Sequence, residues 1–404
     1  MAPNTAAGGE PVLHLVTRMN IGGPARVVNA LATGLTPAFS VTIGTGRAPV
    51  EEGELIADGV AVTRLPFVRP VVPLTDTRAL VLTRRLIATS RPSLVHTHMA
   101  KAGMIGRVAA LSVRPRPPTI HTYHGHVLQG YFGRVQQRAF LEIERVLAKR
   151  SDALIAVSPE IRDELLDLGV GRASQYHVIP VGIDLDPYLA ATSQHHRLHA
   201  AMNVAPDVPV IAIIGRLVPI KDHETLFQAV RTLTRTHLAV IGDGELRGRL
   251  ERRARELGIA NRTRFLGWIT DLAGFLADAD LVVLSSRNEG TPLALIEAMA
   301  TGRPVVATSV GGVGHVVEHG VSGLICAAGD VRALAAAMET LLGNHALAVR
   351  LGNEARHRVA HRFSARTMIG AHRDLYLELL GSHRRHSNSY TSSNTAGSSC
   401  QAGR

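Results

Sequence analysis

The sequence predicts an α/β protein with more than one parallel-sheet domain, and three observations carry that expectation. Short apolar strand patterns alternate with helical ones along most of the chain, the order that crossover helices impose on parallel sheets. Apolar runs such as 210–215 end in glycine and are followed after a short loop by helical periodicity, as strands buried on both faces are. At 404 residues and 46% apolar, the chain can bury two sizeable cores, and its length favours two or three domains.

Residues 1–10 lack the charged-then-apolar order of a signal peptide and are expected to form a flexible N-terminus. The first strand is predicted over 12–16, and Gly22 and Gly23 follow it into a helix over 26–35. Glycines there let a backbone approach a ligand with no Cβ in the way, although the Gly-x-Gly-x-x-Gly spacing of a dinucleotide loop is missing. Strands over 93–97 and 119–122 end among His96, His98, His121, His124 and His126. Paired His-x-His spacings suit transition metals such as zinc, but no acidic or thiolate ligand stands close by, so no metal site is expected. Between these strands, Lys101 and Gly103 begin a helix and are candidate acceptor or phosphate contacts.

The first domain is drawn over 11–186 and the linker over 187–209, where 191–199 is polar and the apolar rhythm lapses. The second domain runs over 210–360. Its first strand ends at Gly215, and Arg216 and Lys221 leave that strand's carboxyl end before a helix over 223–233. Ligands of open α/β sheets bind at such ends, and two fixed cations there suit a departing diphosphate. Further on, an apolar strand precedes Glu289-Gly290-Thr291-Pro292-Leu293-Ala294-Leu295-Ile296-Glu297. Thr291 is the predicted N-cap and Pro292 the first helical residue, which leaves the amides of Thr291, Leu293 and Ala294 as an anion site. Two carboxylates flanking that site suit hydroxyl groups, so the segment fits a sugar nucleotide. Taken singly, each motif also fits a capped helix or exposed loop charges. A last helix is predicted to 380, and the Ser-, Asn-, Thr- and Gly-rich tail over 381–404 is expected to be disordered.

Together these residues resemble the retaining glycosyltransferases of family 4, over residues 11–380. The resemblance rests on Gly-Arg-Leu-x3-Lys at 215–221, Gly-Asp-Gly-Glu at 242–245 and Glu-x7-Glu at 289–297. Gly22-Gly23 and His124 in Thr122-Tyr123-His124-Gly125 follow in the expected order. It implies two Rossmann-like domains (GT-B architecture) facing across a cleft, the first binding acceptor and the second the donor nucleotide. It also implies a helix, drawn at 361–380, that crosses back to the N-terminal domain. By the same resemblance Glu297 would hold the donor's ribose hydroxyls, Glu289 the hydroxyls of the transferred sugar, and Arg216 with Lys221 the diphosphate. Gly267, Trp268 and Ile269 would receive the base, and Gly22, Gly23, Gly215, Gly242, Gly290, Thr291, Leu293 and Ala294 complete the donor contacts. His124 would stand at the reaction centre, oriented by His126, with Lys101 and His126 toward the acceptor. Chemistry without metal or other cofactor is implied, by front-face attack in which the leaving phosphate takes the acceptor's proton. Glu289 as a nucleophile stays open.

The formal charge of +11 raises nucleic-acid binding as an alternative. Basic residues number 20 against 14 acidic in residues 1–185, 21 against 19 in 186–381, and 3 against none in the tail. With aromatics at only 4%, stacking partners for bases are scarce and no nucleic-acid partner is expected. A basic first domain instead suits an anionic membrane surface, with solvated surface charge as the plain alternative. No run of 18 apolar residues occurs, and only Cys326 and Cys400 are present, so a reducing cytoplasm and a peripheral place at the inner membrane face are expected. The function expected is transfer of a sugar from a UDP-linked donor to a lipid-linked or other glycan acceptor in polysaccharide or glycoconjugate synthesis. The alternatives are a nucleotide-sugar epimerase and a non-catalytic sugar-nucleotide-binding subunit.

Overall fold

The computed structural model describes residues 8–20, 22–49, 52–125, 134–193 and 197–395. The chain divides into two compact units. The first takes in the chain up to Val157, Arg162–Ile179 and the chain from Arg366; the second is Ser158–Ile161 with Pro180–Ala365.

In the first unit, strands β1 (Glu10–Arg18), β2 (Phe39–Gly46), β3 (Ala61–Arg64), β4 (Leu94–His98), β5 (Thr119–Tyr123), β6 (Ala153–Ala156) and β7 (Tyr176–Val178) form one parallel sheet. Its order is β3-β2-β1-β4-β5-β6-β7, so the winding reverses between β1 and β4. Every residue of β4, β5 and β6 is buried; β6 is accordingly an unbroken apolar run, whereas β4 and β5 carry buried histidines and threonines that hydrogen-bond within the unit. The register sets His14 beside His96 and His98 beside Thr122, placing these four on one face. Thr97 lies beside His121 on the other. There Gly103 of helix Ala100–Leu111 passes so close that a Cβ would stand 2.4 Å from the His121 ring.

A buried ion pair braces the same side of this unit. Arg107 donates to Glu144 at 2.8 Å and Tyr123 donates to the other carboxylate oxygen at 2.6 Å, with both charged side chains almost wholly buried. Burial and the neighbouring carboxylate push the Tyr123 hydroxyl well above its ordinary range, so it remains a donor. Removing one charge of such a pair strands the other. Glu144→Gln is expected to destabilise the first unit by about 2–3 kcal/mol. A urea transition unmoved from wild type would contradict that bracing role.

The last helix, Ala365–Thr395, belongs to the first unit from Arg366 onward and sinks Met368, His372, Leu375 and Tyr376 into it. This return to the N-terminal sheet is the crossing helix that the resemblance implied. It runs beyond 380, into a segment expected to be disordered; residues 381–395 are helical and 396–404 lie outside the described residues. Polar residues extend a helix that packing has already nucleated, because each added residue needs only propagation.

The second unit holds β8 (Val210–Ile214), β9 (His237–Ile241), β10 (Thr263–Gly267), β11 (Leu281–Leu284), β12 (Val305–Thr308) and β13 (Leu324–Cys326). All pairings are parallel in the order β10-β9-β8-β11-β12-β13. Apolar cores cover both faces of this sheet. The stretch 187–209, expected as a linker, falls within this unit. It carries helix Arg197–Met202 and most of Asp186–Ala190, and Leu198 and Met202 join the core. Its polar composition hides these two apolar anchors, four residues apart on one helix face.

Candidate active site

The second sheet reverses its winding between β8 and β11, and the loops leaving those two strands carry Arg216 to Lys221 and Ser285 to Gly290. This is the crevice where open α/β sheets take ligands. Lys221 Nζ lies 2.6 Å from Glu289 Oε1, and Ser286 donates to the same oxygen at 2.6 Å. A lysine and a carboxylate separated by 68 positions therefore meet at the predicted place.

Several bonds staple the two loops together. The Arg287 amide donates to the Ile220 carbonyl at 2.8 Å, Ser285 Oγ to the Lys221 carbonyl at 2.9 Å, and the Arg287 guanidinium to Asp222 at 2.9 Å. None of Asp222, Ser285, Ser286 or Arg287 stood out in the sequence, because their role is to hold backbone to backbone across a distant pair of strands. Lys221 also folds over Gly215, with its Cε 3.4 Å from where a Cβ would be. Gly242 has φ +128 and abuts Gly215, where a Cβ would stand 2.0 Å from the carbonyl oxygen. That close backbone packing accounts for the glycine at 242 whether or not a ligand touches it.

The helix bearing Glu297 starts one residue later than expected. It spans Leu293–Ala300 with Pro292 as N-cap and no side-chain cap bond, so Thr291 is not the cap. Leu295 N and Ile296 N both reach the Pro292 carbonyl. Thr291 Oγ1 is buried with no hydrogen-bond partner, beside the first-turn amides of Leu293 and Ala294. Gly290 is packed against Gly312, whose amide donates to the Glu289 carbonyl at 3.2 Å. Glu297 itself is 3% exposed and accepts a 2.8 Å bond from Tyr188, a residue of helix Asp186–Ala190 that no motif along the chain singles out. Trp268 is 50% exposed just past β10, and Ile269 packs on the core beside it.

The first unit reverses its winding between β1 and β4, and Gly22, Gly23 and Lys101 lie beyond those strand ends. Gly22 is extended and precedes helix Gly23–Gly34. Lys101 is turned inward: 8% exposed, it bonds Asp76 at 2.5 Å and the Pro70 carbonyl at 2.9 Å. Its ammonium is thus engaged within the unit, which removes the reason for casting it as an acceptor contact. His126 lies outside the described residues. His124 Nε2 sits 3.0 Å from His98 Nδ1.

Around His98 the histidines form a cluster larger than the sequence indicated, because His14 joins from β1 and His372 and Tyr376 from the last helix. Ring nitrogens of His14, His96 and His98 lie within 4.8 Å of one another. Both nitrogens of each of the three face hydrogen-bond partners. Asp-x-Asp is a spacing that can clamp a diphosphate-bound metal. Asp184-Leu185-Asp186 and Asp278-Ala279-Asp280 both occur. Each has a carboxylate bonded to a backbone amide: Asp184 to Asp186 at 3.1 Å, Asp278 to Leu198 at 3.2 Å and Asp280 to Val210 at 2.7 Å.

Two parallel-sheet units, each reversing its winding once, are the fold of the GT-B class of glycosyltransferases. Comparison with known proteins agrees. The family description "Glycosyltransferase Family 4" matches residues 21–187, and "Glycosyl transferases group 1" matches 196–358. Glycogen synthase of Mycobacterium tuberculosis is 31% identical over 294 residues, 71% of this chain and 69% of that protein. This chain belongs to glycosyltransferase family 4. It is also similar to the UDP-Gal:alpha-D-GlcNAc-diphosphoundecaprenol alpha-1,3-galactosyltransferase of Escherichia coli, 24% identical over 312 residues, covering 76% of this chain and 80% of that one. Sucrose-phosphate synthase from Thermosynechococcus elongatus has the same fold, with a TM-score of 0.80, 25% identity, and coverage of 92% of this chain and 100% of that one.

Proposed function

We propose that this glycosyltransferase moves a hexose from a UDP-linked donor to a lipid-linked or other glycan acceptor, with retained anomeric configuration and no metal. The observation that carries the reading is the Lys221–Glu289 pair at 2.6 Å on the β8/β11 reversal point. A bound diphosphate offers Lys221 a second anion, and Arg216 and the amides ahead of helix Leu293–Ala300 add positive potential. As the bond from the anomeric carbon to the phosphate oxygen breaks, these groups stabilise the charge gathering on that oxygen. The acceptor hydroxyl attacks from the same face, forms the new bond to the anomeric carbon, and passes its proton to the leaving phosphate. Glu289, held by Lys221 and Ser286, then serves the sugar hydroxyls, Glu297 the ribose, Trp268 the base, and His124 the sugar near the reacting carbon. A UDP donor is favoured by the name of the Escherichia coli relative, as is a diphosphate-lipid acceptor. No helix among the described residues is long and apolar enough to cross a membrane. The reading places the enzyme peripherally at the cytoplasmic membrane face.

The test incubates the protein with UDP-, GDP- and ADP-sugars and a lipid-linked acceptor extract, with and without chelator. Acceptor-dependent release of UDP, unchanged by chelator, is expected, with a product whose NMR coupling shows the donor's anomeric configuration. Interconversion of the sugar nucleotide without release would favour an epimerase, and binding without turnover a non-catalytic subunit. Tyr188 supplies a finer check. Tyr188→Phe removes one bond to Glu297 and is expected to weaken UDP binding by about fivefold, the equivalent of about 1 kcal/mol. Unaltered calorimetric affinity would remove Tyr188 from the nucleotide site.

A further inference from the structure

Five hydrogen bonds run in series through the buried face of the first sheet. Thr122 Oγ1 meets His96 Nε2 at 2.7 Å, and His96 Nδ1 meets the Tyr376 hydroxyl at 2.5 Å. Tyr376 meets His14 Nε2 at 3.1 Å, His14 Nδ1 meets His98 Nε2 at 3.0 Å, and His98 Nδ1 meets His124 Nε2 at 3.0 Å. Burial holds His96 and His98 well below the ordinary histidine range, His14 at about 3 and His124 at about 4, so all four rings are neutral at physiological pH.

A neutral imidazole donates from one nitrogen and accepts at the other, and a hydroxyl has one proton to give. The Tyr376 hydroxyl could accept from both of its rings, but it is wholly buried and its proton would then have no acceptor among the described residues, so the series points one of two ways along its whole length. Thr122 decides which. It is 2% exposed, and among the described residues His96 is the one hydrogen-bond partner of its side chain. If His96 donated to it, the threonine proton would be buried without an acceptor, which is the more costly arrangement. Thr122 therefore donates to His96 Nε2. His96 must then donate from Nδ1 to Tyr376, Tyr376 to His14 Nε2, His14 from Nδ1 to His98 Nε2, and His98 from Nδ1 to His124 Nε2.

We infer that Thr122 and Tyr376 are positioning residues that lock His124 as the Nδ1–H tautomer, so that it presents a hydrogen-bond donor and not a base at its outward nitrogen. Free histidine in water prefers the opposite, Nε2–H form, so the lock is a property of this relay. His372 stands beside the relay and outside it: its Nδ1 donates to the Met368 carbonyl at 2.8 Å, while its ring lies 5.8 Å from that of His96. For function the inference rests on the assignment of His124 to the transferred sugar. An outward N–H would grip a sugar hydroxyl and leave proton acceptance to the departing phosphate, in keeping with front-face attack.

The test reads the tautomer directly, by long-range proton–nitrogen correlation NMR of histidine-labelled protein near neutral pH. His124 is assigned by the signals lost in His124→Gln. The wild-type protein is expected to show a protonated Nδ1 and a bare Nε2 at His124. Thr122→Val and Tyr376→Phe are expected to yield a mixture of both tautomers, and Thr122→Ser to restore the single form. A wild-type His124 protonated at Nε2, or an unchanged tautomer in Tyr376→Phe, would overturn the inference, and the first of these needs no variant to fold. In the transfer assay, Thr122→Val and Tyr376→Phe should lower kcat about tenfold with little change in donor KM. If the wild-type enzyme transfers no sugar yet shows the Nδ1–H form, the relay stands and the functional reading falls.

Discussion

Acidification from about pH 7.5 to about pH 5 is expected to destabilise the first unit more than the second, where burial lowers His223 to about 4 and His237 and His315 below the ordinary value. Five histidines there are almost wholly buried: His14, His96, His98, His121 and His372. Desolvation lowers all five, His14 to about 3, His372 to about 4, and the others well below the ordinary value of 6.5. Neighbouring positive charge adds to this, from the other rings and, at His121, from Arg107. In each case the folded pKa lies below the unfolded one, so the unfolded chain binds more protons throughout the interval between them. Stability is therefore complete above pH 6.5 and falls as the pH drops toward the folded values. Each such group contributes about 1.4 kcal/mol per pH unit once well below its unfolded pKa, so five amount to on the order of 5–10 kcal/mol by about pH 5. That is comparable with the whole stability of a domain. Carboxylates with lowered pKa values, Glu10 and Glu54, titrate below this window. Urea transitions recorded across the pH range, followed by Tyr376 environment and by proton uptake, check the slope. A first unit equally stable at both ends of the range would contradict the assignment of neutral buried rings.

Lys221→Ala is expected to lower kcat for transfer by about a hundredfold to a thousandfold, with donor KM changed by less than about tenfold. The reason lies in when the charge is needed. In the structure Lys221 already has an anion, Glu289 at 2.6 Å, so ground-state attraction to a diphosphate is partly offset by that existing partner. As the anomeric bond breaks, negative charge on the phosphate oxygen rises and the balance tips toward the lysine's new partner. An interaction strongest in the transition state appears in kcat. The variant also leaves Glu289, mostly buried and still bonded to Ser286, without its cation. Lys221→Arg restores charge with a longer, planar head and should recover only part of the rate. A Lys221→Ala enzyme with full kcat would remove the lysine from the reaction.

Strand ends were the most legible part of this chain. The predicted starts and stops of β5 and β8 fall within a residue of those observed: β8 is apolar throughout and is ended by Gly215, and β5 is bounded by Pro118 and by His124-Gly125. The strand-end logic then placed Arg216 and Lys221 beyond the carboxyl end of one strand and Glu289 beyond another, and the structure shows these strands to be neighbours where the sheet reverses its winding. Other features lay beyond a linear reading. Thr291 resembled an N-cap in type and position, but the helix begins after Pro292, and helix ends are set by local geometry that residue type only biases. Lys101 resembled a free cation until Asp76, on a separate helix, closed on it. His14 sits in an otherwise apolar strand, and nothing along the chain says that β1 pairs in register with β4 to bring it against His96. Tyr376, 362 positions from His14, was invisible for the same reason.

The central claim is that the β8/β11 reversal point holds a nucleotide sugar, with Glu297 on the nucleotide side and Glu289 on the sugar side. Calorimetric titration of UDP and of a UDP-hexose into Glu297→Gln and Glu289→Gln tests it most directly. Glu297→Gln is expected to weaken both ligands alike, by about tenfold or more, whereas Glu289→Gln weakens the UDP-hexose and leaves UDP near its wild-type affinity. If both variants bind both ligands as tightly as the wild-type protein, the two carboxylates lie outside the donor site and the account is contradicted.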